Sequence, residues 1–343
     1  MSINEEVFDR FVRHMHMLER YKSGEVRRIL KLLDKADRDL VETIAARLSS
    51  IEAGANLSAA ETARLERLIA EIRKAKEALG AALYETQLQQ LEEFAQVQQE
   101  FAKGAIEVSA AKAGITVELE RPSVSLLRAA ITEKPFDGKL LEEWYATLTV
   151  TQTTNITAAI RKGIAEGQTT DQIIRRVRGS RALQYRDGVL QIGRNQAAAV
   201  VRTAIAHVAN QASEALYAEN EDIIQGVQWV STLDSRTTAV CRARDGQVFK
   251  VGQGPRPPAH PNCRSTTIPY LGVIEGTRAS AFGPVPRAET YQSWLRKQSK
   301  EFQEEVLGVE KARLFREEKY SLDRFVDETG KEYTLDQLRR LAG

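Results

Sequence analysis

Two cysteines and a histidine lie close together in the sequence, between residues 226 and 271. Cys241 and Cys263 are the only cysteines of the 343-residue chain, and His260 is one of its four histidines. Thiolates and imidazoles are ligands that zinc commonly takes, and the two-residue gap between His260 and Cys263 is typical of a turn that closes half of a zinc site. The sequence therefore offers three possible zinc ligands: Cys241, His260 and Cys263.

Three interpretations of this cluster are open. A structural zinc site normally has four protein ligands, so Asp234, Asp245 or water would have to fill the fourth position, and an open fourth position is also what a catalytic zinc has. Alternatively, the two cysteines could form a disulfide, which a reducing cytoplasm disfavours. They could also be free buried thiols beside a histidine that hydrogen-bonds to backbone. Zinc is the one cofactor that these residues suggest.

The same loop allows a hydrolytic alternative. A metal-dependent nuclease or hydrolase built on Cys241, His260 and Cys263 could use His260 as a base and Asp234 or Asp245 as a metal ligand. Against this, the loop holds no second histidine and no paired carboxylates, and His207 lies more than 50 residues upstream. We therefore expect that the chain is not an enzyme.

The elements around the loop can be predicted from local patterns. Apolar runs at residues 227–230 and 266–270 predict two strands, and Asp245-Gly246 is a hairpin signal with an outgoing strand at 247–249. Upstream, an alanine-rich segment predicts a long helix over about 193–218. Arg202 on that helix needs a partner if it is buried, and Asp234 is a candidate.

The N-terminal third of the chain has a different character. Residues 3–110 contain no proline and only four glycines, and apolar residues recur at helical spacing. Ser58 and Glu61 have the spacing of a capping box at a helix start. Each helix has a narrow apolar face, which must be covered by another helix of a hairpin or bundle, or by a neighbouring subunit.

The expected fold class is α+β and mostly helical, with long N-terminal helices and a small mixed α/β domain that carries a short antiparallel sheet. Prolines at 122 and 135 mark a connector between the two parts. The predicted segments are a helical arm at 1–110, a connector at 111–138, an α+β domain at 139–275 and a partly helical C-terminal extension at 276–343.

Charge is unevenly distributed along the chain. The net charge is +2, but residues 172–300 contain 18 Lys and Arg against nine Asp and Glu, which leaves an excess of seven negative charges elsewhere. A basic centre between acidic segments suits a protein near DNA or an acidic protein surface, and solvated surface charge is the equal alternative. The sequence contains neither an apolar N-terminal region nor a run of about 18 apolar residues, so we expect no signal peptide and no membrane span.

A series of short motifs follows a fixed order along the second half of the chain. The most specific is the block from Pro257 to Arg264, Pro-Pro-Ala-His-Pro-Asn-Cys-Arg. The other motif residues, in chain order, are Gly163 to Gly167, Arg202-Thr203, Trp229, Asp234-Ser235-Arg236-Thr237, Cys241 and Asp245-Gly246. Together they resemble the head-morphogenesis domain of Mu F-like minor head proteins of tailed phages. Motifs within 289–340 are similar to the C-terminal extension of the same proteins, so the resemblance covers about residues 140–340.

This resemblance implies a minor capsid protein inside the phage head, associated with the portal vertex in multiple copies, with a role in head assembly and in DNA packaging or ejection. It implies a virion location, with host cytoplasm during assembly. The implied partners are the portal protein, capsid or scaffold proteins and non-specific contact with packaged DNA, without a membrane.

The resemblance also implies that residues 226–271 form a structural clamp without a catalytic residue. Many family members carry cysteines where this chain has Thr238 and Ser265, and glutamate where it has Ala204. The clamp residues are Arg202, Trp229, Asp234, Arg236, Asp245, Gly246, Pro258, Asn262 and Arg264, together with Cys241, His260 and Cys263.

Overall fold

The computed structural model describes residues 3–54, 56–271, 277–286, 289–318, 320–327 and 329–342. In this part of the chain 11 α-helices and two small antiparallel sheets are present, and 66% of the chain is helical. The predicted fold class, mostly helical α+β with a short antiparallel sheet, is confirmed.

In the described part of the chain, all strands follow residue 218. The helices are α1 Ile3–Leu48, α2 Ala59–Lys112, α3 Val124–Thr132, α4 Leu141–Ala165, α5 Thr170–Arg178, α6 Val189–Ala218, α7 Ala239–Arg244, α8 Tyr291–Arg296, α9 Lys300–Leu307, α10 Val309–Arg316 and α11 Leu335–Ala342. The strands are β1 Gly226–Val230, β2 Val248–Phe249, β3 Thr266–Tyr270, β4 Thr277–Ser280 and β5 Gly283–Pro286.

The start of α2 is explained by the predicted capping box. The backbone N–H of Ser58 donates to Glu61 Oε2 at 2.8 Å, and the backbone N–H of Glu61 donates to Ser58 Oγ at 3.2 Å. Two amide groups that a helix start leaves without partners are thereby satisfied. Thr169 caps α5 in the same way, with its side chain accepting from the backbone N–H of Gln172.

Contacts divide the chain into two compact units. We call Arg20–Glu92 with Ile131–Ile205 the helical unit, and Met1–Glu19 with Glu93–Ala130 and Ala206–Gly343 the clamp unit. Helices α1, α2 and α6 each contribute residues to both units. The four segments predicted from the sequence stay a prediction, since each unit combines residues from more than one of them.

The helical unit has an apolar core formed by residues of α1, α2, α4, α5 and the beginning of α6. Its members include Leu40, Ile44, Leu48, Leu65, Leu68, Ile72, Ile156, Ile160, Ile173, Ile174, Val177 and Leu190. The apolar stripes predicted for the N-terminal helices are therefore buried within this unit, as the helical period requires.

A charged residue also lies inside the helical unit. Lys76 is buried, and its Nζ donates to Asp37 Oδ1 at 2.6 Å and to Gln152 Oε1 at 2.8 Å. Burial of an ammonium group is costly unless a counter-ion and hydrogen-bond acceptors compensate for lost water. Asp37 and Gln152 supply both.

The clamp unit is organised around β1, the central strand of a three-stranded sheet with the order β2-β1-β3. Both neighbours are antiparallel to β1, with Val227 opposite Phe249 of β2 and opposite Pro269 of β3. Residues of the sheet pack against the end of α6, the start of α1 and the end of α2, and the buried members include Val7, Phe11, Ala102, Ile106, Leu216, Tyr217, Val227, Val230 and Ile268. The predicted strands are present. The predicted hairpin turn at Asp245-Gly246 is wrong, because these two residues follow the end of α7 and β1 is joined to β2 through residues 231–247, which include that helix.

Candidate functional site

The three candidate metal ligands come together in the clamp unit. Cys241 lies on α7, and residues 260–263 form a turn in which the backbone N–H of Cys263 donates to the carbonyl oxygen of His260 at 3.2 Å. The Sγ atom of Cys241 is 3.7 Å from Sγ of Cys263 and 3.4 Å from Nε2 of His260. Asn262, at φ 59°, makes this turn possible because asparagine tolerates the left-handed region better than most residues.

Both cysteines are free thiols with only 1% of their surface exposed. Their hydrogen bond, together with burial and the charge of Cys263, raises the pKa of Cys241. The same hydrogen bond lowers the pKa of Cys263 against the effect of burial, and His260 adds to the lowering. The two thiols therefore differ in pKa, and Cys263 is the more acidic of the two. The disulfide interpretation does not describe this structure.

His260 has a defined tautomer. Its Nδ1 lies 2.9 Å from the carbonyl oxygen of Pro261, which can only accept a hydrogen bond, so Nδ1 carries the proton. Nε2 is then the unprotonated nitrogen, and it faces Cys241 Sγ. Because both ring nitrogens have partners, His260 is poorly placed to act as the base of a hydrolase.

The indole of Trp229 packs with the two cysteines. It is fully buried on β1 and packs in one cluster with Cys241 and Cys263, while the guanidinium of Arg244 lies 5.3 Å from its ring centroid. The indole N–H donates to Ser231 Oγ at 3.0 Å, which in turn donates to the carbonyl oxygen of Cys241 at 2.9 Å. These two hydrogen bonds connect the end of β1 to α7.

Asp245 joins the loop to the C-terminal part of the chain. One carboxylate oxygen accepts from the backbone N–H of Ser231 at 2.7 Å, and the other accepts from the backbone N–H of Tyr291, the first residue of α8, at 2.8 Å. Gly246 comes next at φ 83°, where a Cβ atom would be strained and would meet Thr290 at 3.0 Å. The Asp-Gly pair therefore makes the turn between α7 and β2 and also fixes α8.

Asp234 and Arg264 form a two-pronged ion pair. Arg264 Nη1 is 2.7 Å from one carboxylate oxygen of Asp234, and Nη2 is 2.7 Å from the other. Burial raises the pKa of Asp234, but the hydrogen bonds and charge of Arg264, with a smaller contribution from Arg236, outweigh it and leave this pKa below its usual value. The backbone N–H of Arg236 donates to Asp234, while its guanidinium is a more distant and exposed partner.

The remaining predicted clamp residues to be located are Arg202 and Pro258. Arg202 lies half-buried on α6 within the helical unit, so it belongs to the other compact unit, and the carboxylate of Asp234 is occupied by Arg264 and Arg236. Pro258 is joined to Pro257 through a cis peptide bond in the loop before His260. The predicted partnership of Arg202 with Asp234 is thus not the pairing that the structure gives Asp234.

Four residues that hold this region, Asn210, Glu214, Arg256 and Tyr291, are not evident as site residues from the sequence. Asn210 of α6 accepts from the backbone N–H of Thr267 in β3 at 3.0 Å. One turn later on the same helix, Glu214 receives two hydrogen bonds from Arg256 at 2.7 and 3.0 Å. Tyr291 donates its hydroxyl to the carbonyl oxygen of Asp234 at 2.8 Å, and burial raises its pKa to about 12, which keeps that proton in place. The four-residue spacing of Asn210 and Glu214 on an apolar helix was the available signal.

The carboxylates of the clamp loop take part in structural contacts. Asp234 and Asp245 both have their oxygens engaged in structural hydrogen bonds, so neither is free to act as the fourth metal ligand or as a general base. Among the residues that the structure describes, the one group of metal-type side chains within mutual reach is Cys241, His260 and Cys263, whose ligand atoms lie within 4.8 Å of one another.

Part of the chain matches a known protein family. Residues 154–268, from within α4 to within β3, match the family described as Phage Mu protein F like protein. This region is a Mu F-like domain. The match covers about a third of the chain and includes Cys241, His260 and Cys263. Neither the curated proteins nor the solved structures contain a significant match to the chain.

The Mu F-like domain supports a protein of phage head morphogenesis. The family that matches residues 154–268 is one of structural head proteins. In the described part of the chain, none of the helices is both long enough and apolar enough to cross a membrane.

Proposed function

We propose that this protein is a minor head protein of a tailed phage that occupies the portal vertex on the inner side of the head. The observation that carries the proposal is the Mu F-like match over residues 154–268. The clamp agrees with a structural role, because its carboxylates and arginines hold backbone segments together. In this role the clamp unit keeps a fixed shape, and its partners are the portal protein and capsid or scaffold proteins.

The proposed position at the portal fits multiple copies of the chain arranged around the vertex. A minor component of this kind acts in head assembly and in the packaging or ejection of DNA. The long helices α1 and α2 supply surface for contacts with scaffold or capsid, since their outward faces are rich in charged residues.

Non-specific contact with packaged DNA is part of the proposal. Four arginines between residues 175 and 186 are exposed within the helical unit: Arg175, Arg178, Arg181 and Arg186. Arginine side chains on an exposed surface can neutralise phosphates without reading base sequence. This stretch lies in the segment whose sequence carries the excess of positive charge.

The absence of enzymatic activity is also proposed. His260 uses both ring nitrogens, and Asp234 and Asp245 are held by structural partners. General-base hydrolysis needs a side chain that is free to take a proton from water. Incubating the chain with DNA and divalent metal ions should leave the DNA intact, and cleavage that disappears in His260→Ala would overturn this part of the proposal.

Quantitative mass spectrometry of purified heads tests the main proposal. Heads of the phage that encodes this chain should contain it at a copy number well below that of the major capsid protein. The same heads from a phage that lacks the gene serve as the control. A chain that is absent from purified wild-type heads, or that is as abundant as the capsid protein, would contradict the proposal.

A further inference from the structure

Cys241, His260 and Cys263 have the spacing of three corners of a zinc coordination tetrahedron. Zinc bonds of about 2.3 Å to sulfur and about 2.0 to 2.1 Å to nitrogen place sulfur atoms ~3.8 Å apart and sulfur and nitrogen ~3.6 Å apart in tetrahedral geometry. The observed separations are 3.7 Å between the two Sγ atoms and 3.4 Å between Cys241 Sγ and His260 Nε2. Two of the three separations therefore match a zinc site, and the third, between Cys263 and His260, lies within 4.8 Å.

The histidine is also prepared for a metal. Metal-binding histidines usually donate the N–H of one ring nitrogen to a carbonyl or carboxylate, which fixes the tautomer and directs the other nitrogen at the metal. His260 satisfies this rule, because Nδ1 lies 2.9 Å from the carbonyl oxygen of Pro261 and Nε2 faces Cys241. This contact is independent of the sulfur spacing.

The surroundings point to a structural zinc rather than a reaction centre. Both cysteines are almost completely buried against Trp229, and the nearby carboxylates of Asp234 and Asp245 already have partners. Thr238 is the N-cap residue of α7, which places it one turn before Cys241. Thr238 and Cys241 are three positions apart, which is the spacing at which two cysteines bind one zinc ion.

We propose that the clamp unit binds one structural zinc ion through Cys241, His260 and Cys263, with a water molecule as the fourth ligand beside Thr238. Zinc would replace the direct contacts between the three side chains and fasten α7 to the turn at residues 260–263. This inference does not rest on the role in the phage head, because it concerns the isolated chain.

Metal analysis of the full-length chain tests the proposal. Protein that is purified without added zinc or metal-affinity tags should contain about one zinc per chain, and replacement by Co²⁺ should give the visible absorption of a tetrahedral site with a thiolate charge-transfer band. Less than roughly 0.2 zinc per chain after reconstitution with zinc, or Co²⁺ binding without the thiolate band, would overturn it.

Variants assign the ligands. His260→Ala should lower zinc affinity at least tenfold while the chain stays folded, since the side chain of His260 is only partly buried. His16→Ala is the matched control, because His16 is exposed on α1, and it should leave zinc affinity unchanged. If both substitutions lower affinity equally, the metal binds elsewhere and the assignment is wrong.

A gain-of-binding variant guards against loss of folding in the cysteine variants. Thr238→Cys places a third thiolate next to Cys241 and should tighten zinc binding at least tenfold. Ser235→Cys provides a control cysteine in the same loop without the three-position spacing to Cys241. Unchanged affinity in Thr238→Cys, or an equal gain in both variants, would contradict the proposed position of the fourth ligand.

Discussion

The carboxylate of Asp245 bridges two amides that are 60 positions apart, those of Ser231 and Tyr291. Tyr291 is the first residue of α8 and is completely buried, and its hydroxyl returns a hydrogen bond to the backbone of Asp234. These hydrogen bonds therefore link the loop that contains the cysteines to the C-terminal part of the chain. Asp245 is the residue through which the Mu F-like domain holds helix α8.

Asp245→Asn should lower the free energy of unfolding of the clamp unit by about 2 to 4 kcal/mol. The substitution retains the shape of the side chain but turns an NH₂ group towards one of the two buried amides, which then loses its acceptor. Urea denaturation followed by tryptophan fluorescence measures the change. Glu221→Gln, at an exposed position, is the control and should change stability by less than about 0.5 kcal/mol. Equal effects of the two variants would contradict the role of Asp245.

The two arginines that face Asp234 should differ in their contributions. Arg264 is 19% exposed and bonds both carboxylate oxygens, so Arg264→Ala should cost about 1.5 to 3 kcal/mol. Arg236 is 77% exposed at 3.4 Å, and Arg236→Ala should cost less than about 0.5 kcal/mol. The same denaturation experiment compares them, and a larger loss in Arg236→Ala would reverse this assignment.

The pH dependence of stability should reveal the ion pair of Asp234. Its pKa in the folded chain is lowered, so the carboxylate contributes stability above the unfolded value of about 3.9 and loses it as the pH falls through the folded value. The stability difference between wild type and Asp234→Asn should therefore be constant from about pH 7 to pH 5 and shrink below about pH 4. A stability difference between the two proteins that grows on acidification would contradict a lowered pKa of Asp234.

Exposed arginines of the helical unit should account for part of any DNA affinity. Replacing Arg181 and Arg186 by alanine should weaken binding to duplex DNA of any sequence and reduce the slope of log affinity against log salt by about 2, roughly 0.9 for each phosphate that an arginine no longer neutralises. Arg121 is also exposed but is paired with Glu100 at 2.6 Å, so Arg121→Ala is the control. An unchanged slope in the double variant would remove this stretch from the proposed DNA-binding surface.

Local patterns in the sequence predict most elements of the fold. The capping box of Ser58 and Glu61 and the strands at both ends of the clamp loop depend on neighbours within a few residues. The Asp245-Gly246 pattern predicts a hairpin where the structure has the end of α7, because the pattern does not reveal the helix before it. The grouping of Cys241, His260 and Cys263 could also be predicted, because these residue types are scarce in the chain and lie within 23 positions.

Pairings between distant residues could not be predicted in the same way. Nothing in the sequence around Asp245 indicates that Tyr291 is its partner. Charge alone suggests Arg202 as a partner of Asp234, whereas the turn at residues 260–263 brings Arg264 to it. The burial of Lys76 could not be predicted either, because its partners Asp37 and Gln152 lie on other helices. Such pairs are decided by tertiary packing, for which helix and strand periodicity carry no information.

The location of the chain within an intact particle tests the central proposal most directly. Cross-linking mass spectrometry of purified heads, with lysine-reactive reagents and the gene-deleted phage as control, should connect this chain to the portal protein and to copies of itself. Cross-links should be far fewer to the capsid protein outside the vertex. Heads in which the chain cross-links only to tail proteins, or to the capsid lattice without any link to the portal, would contradict a minor head protein at the portal vertex.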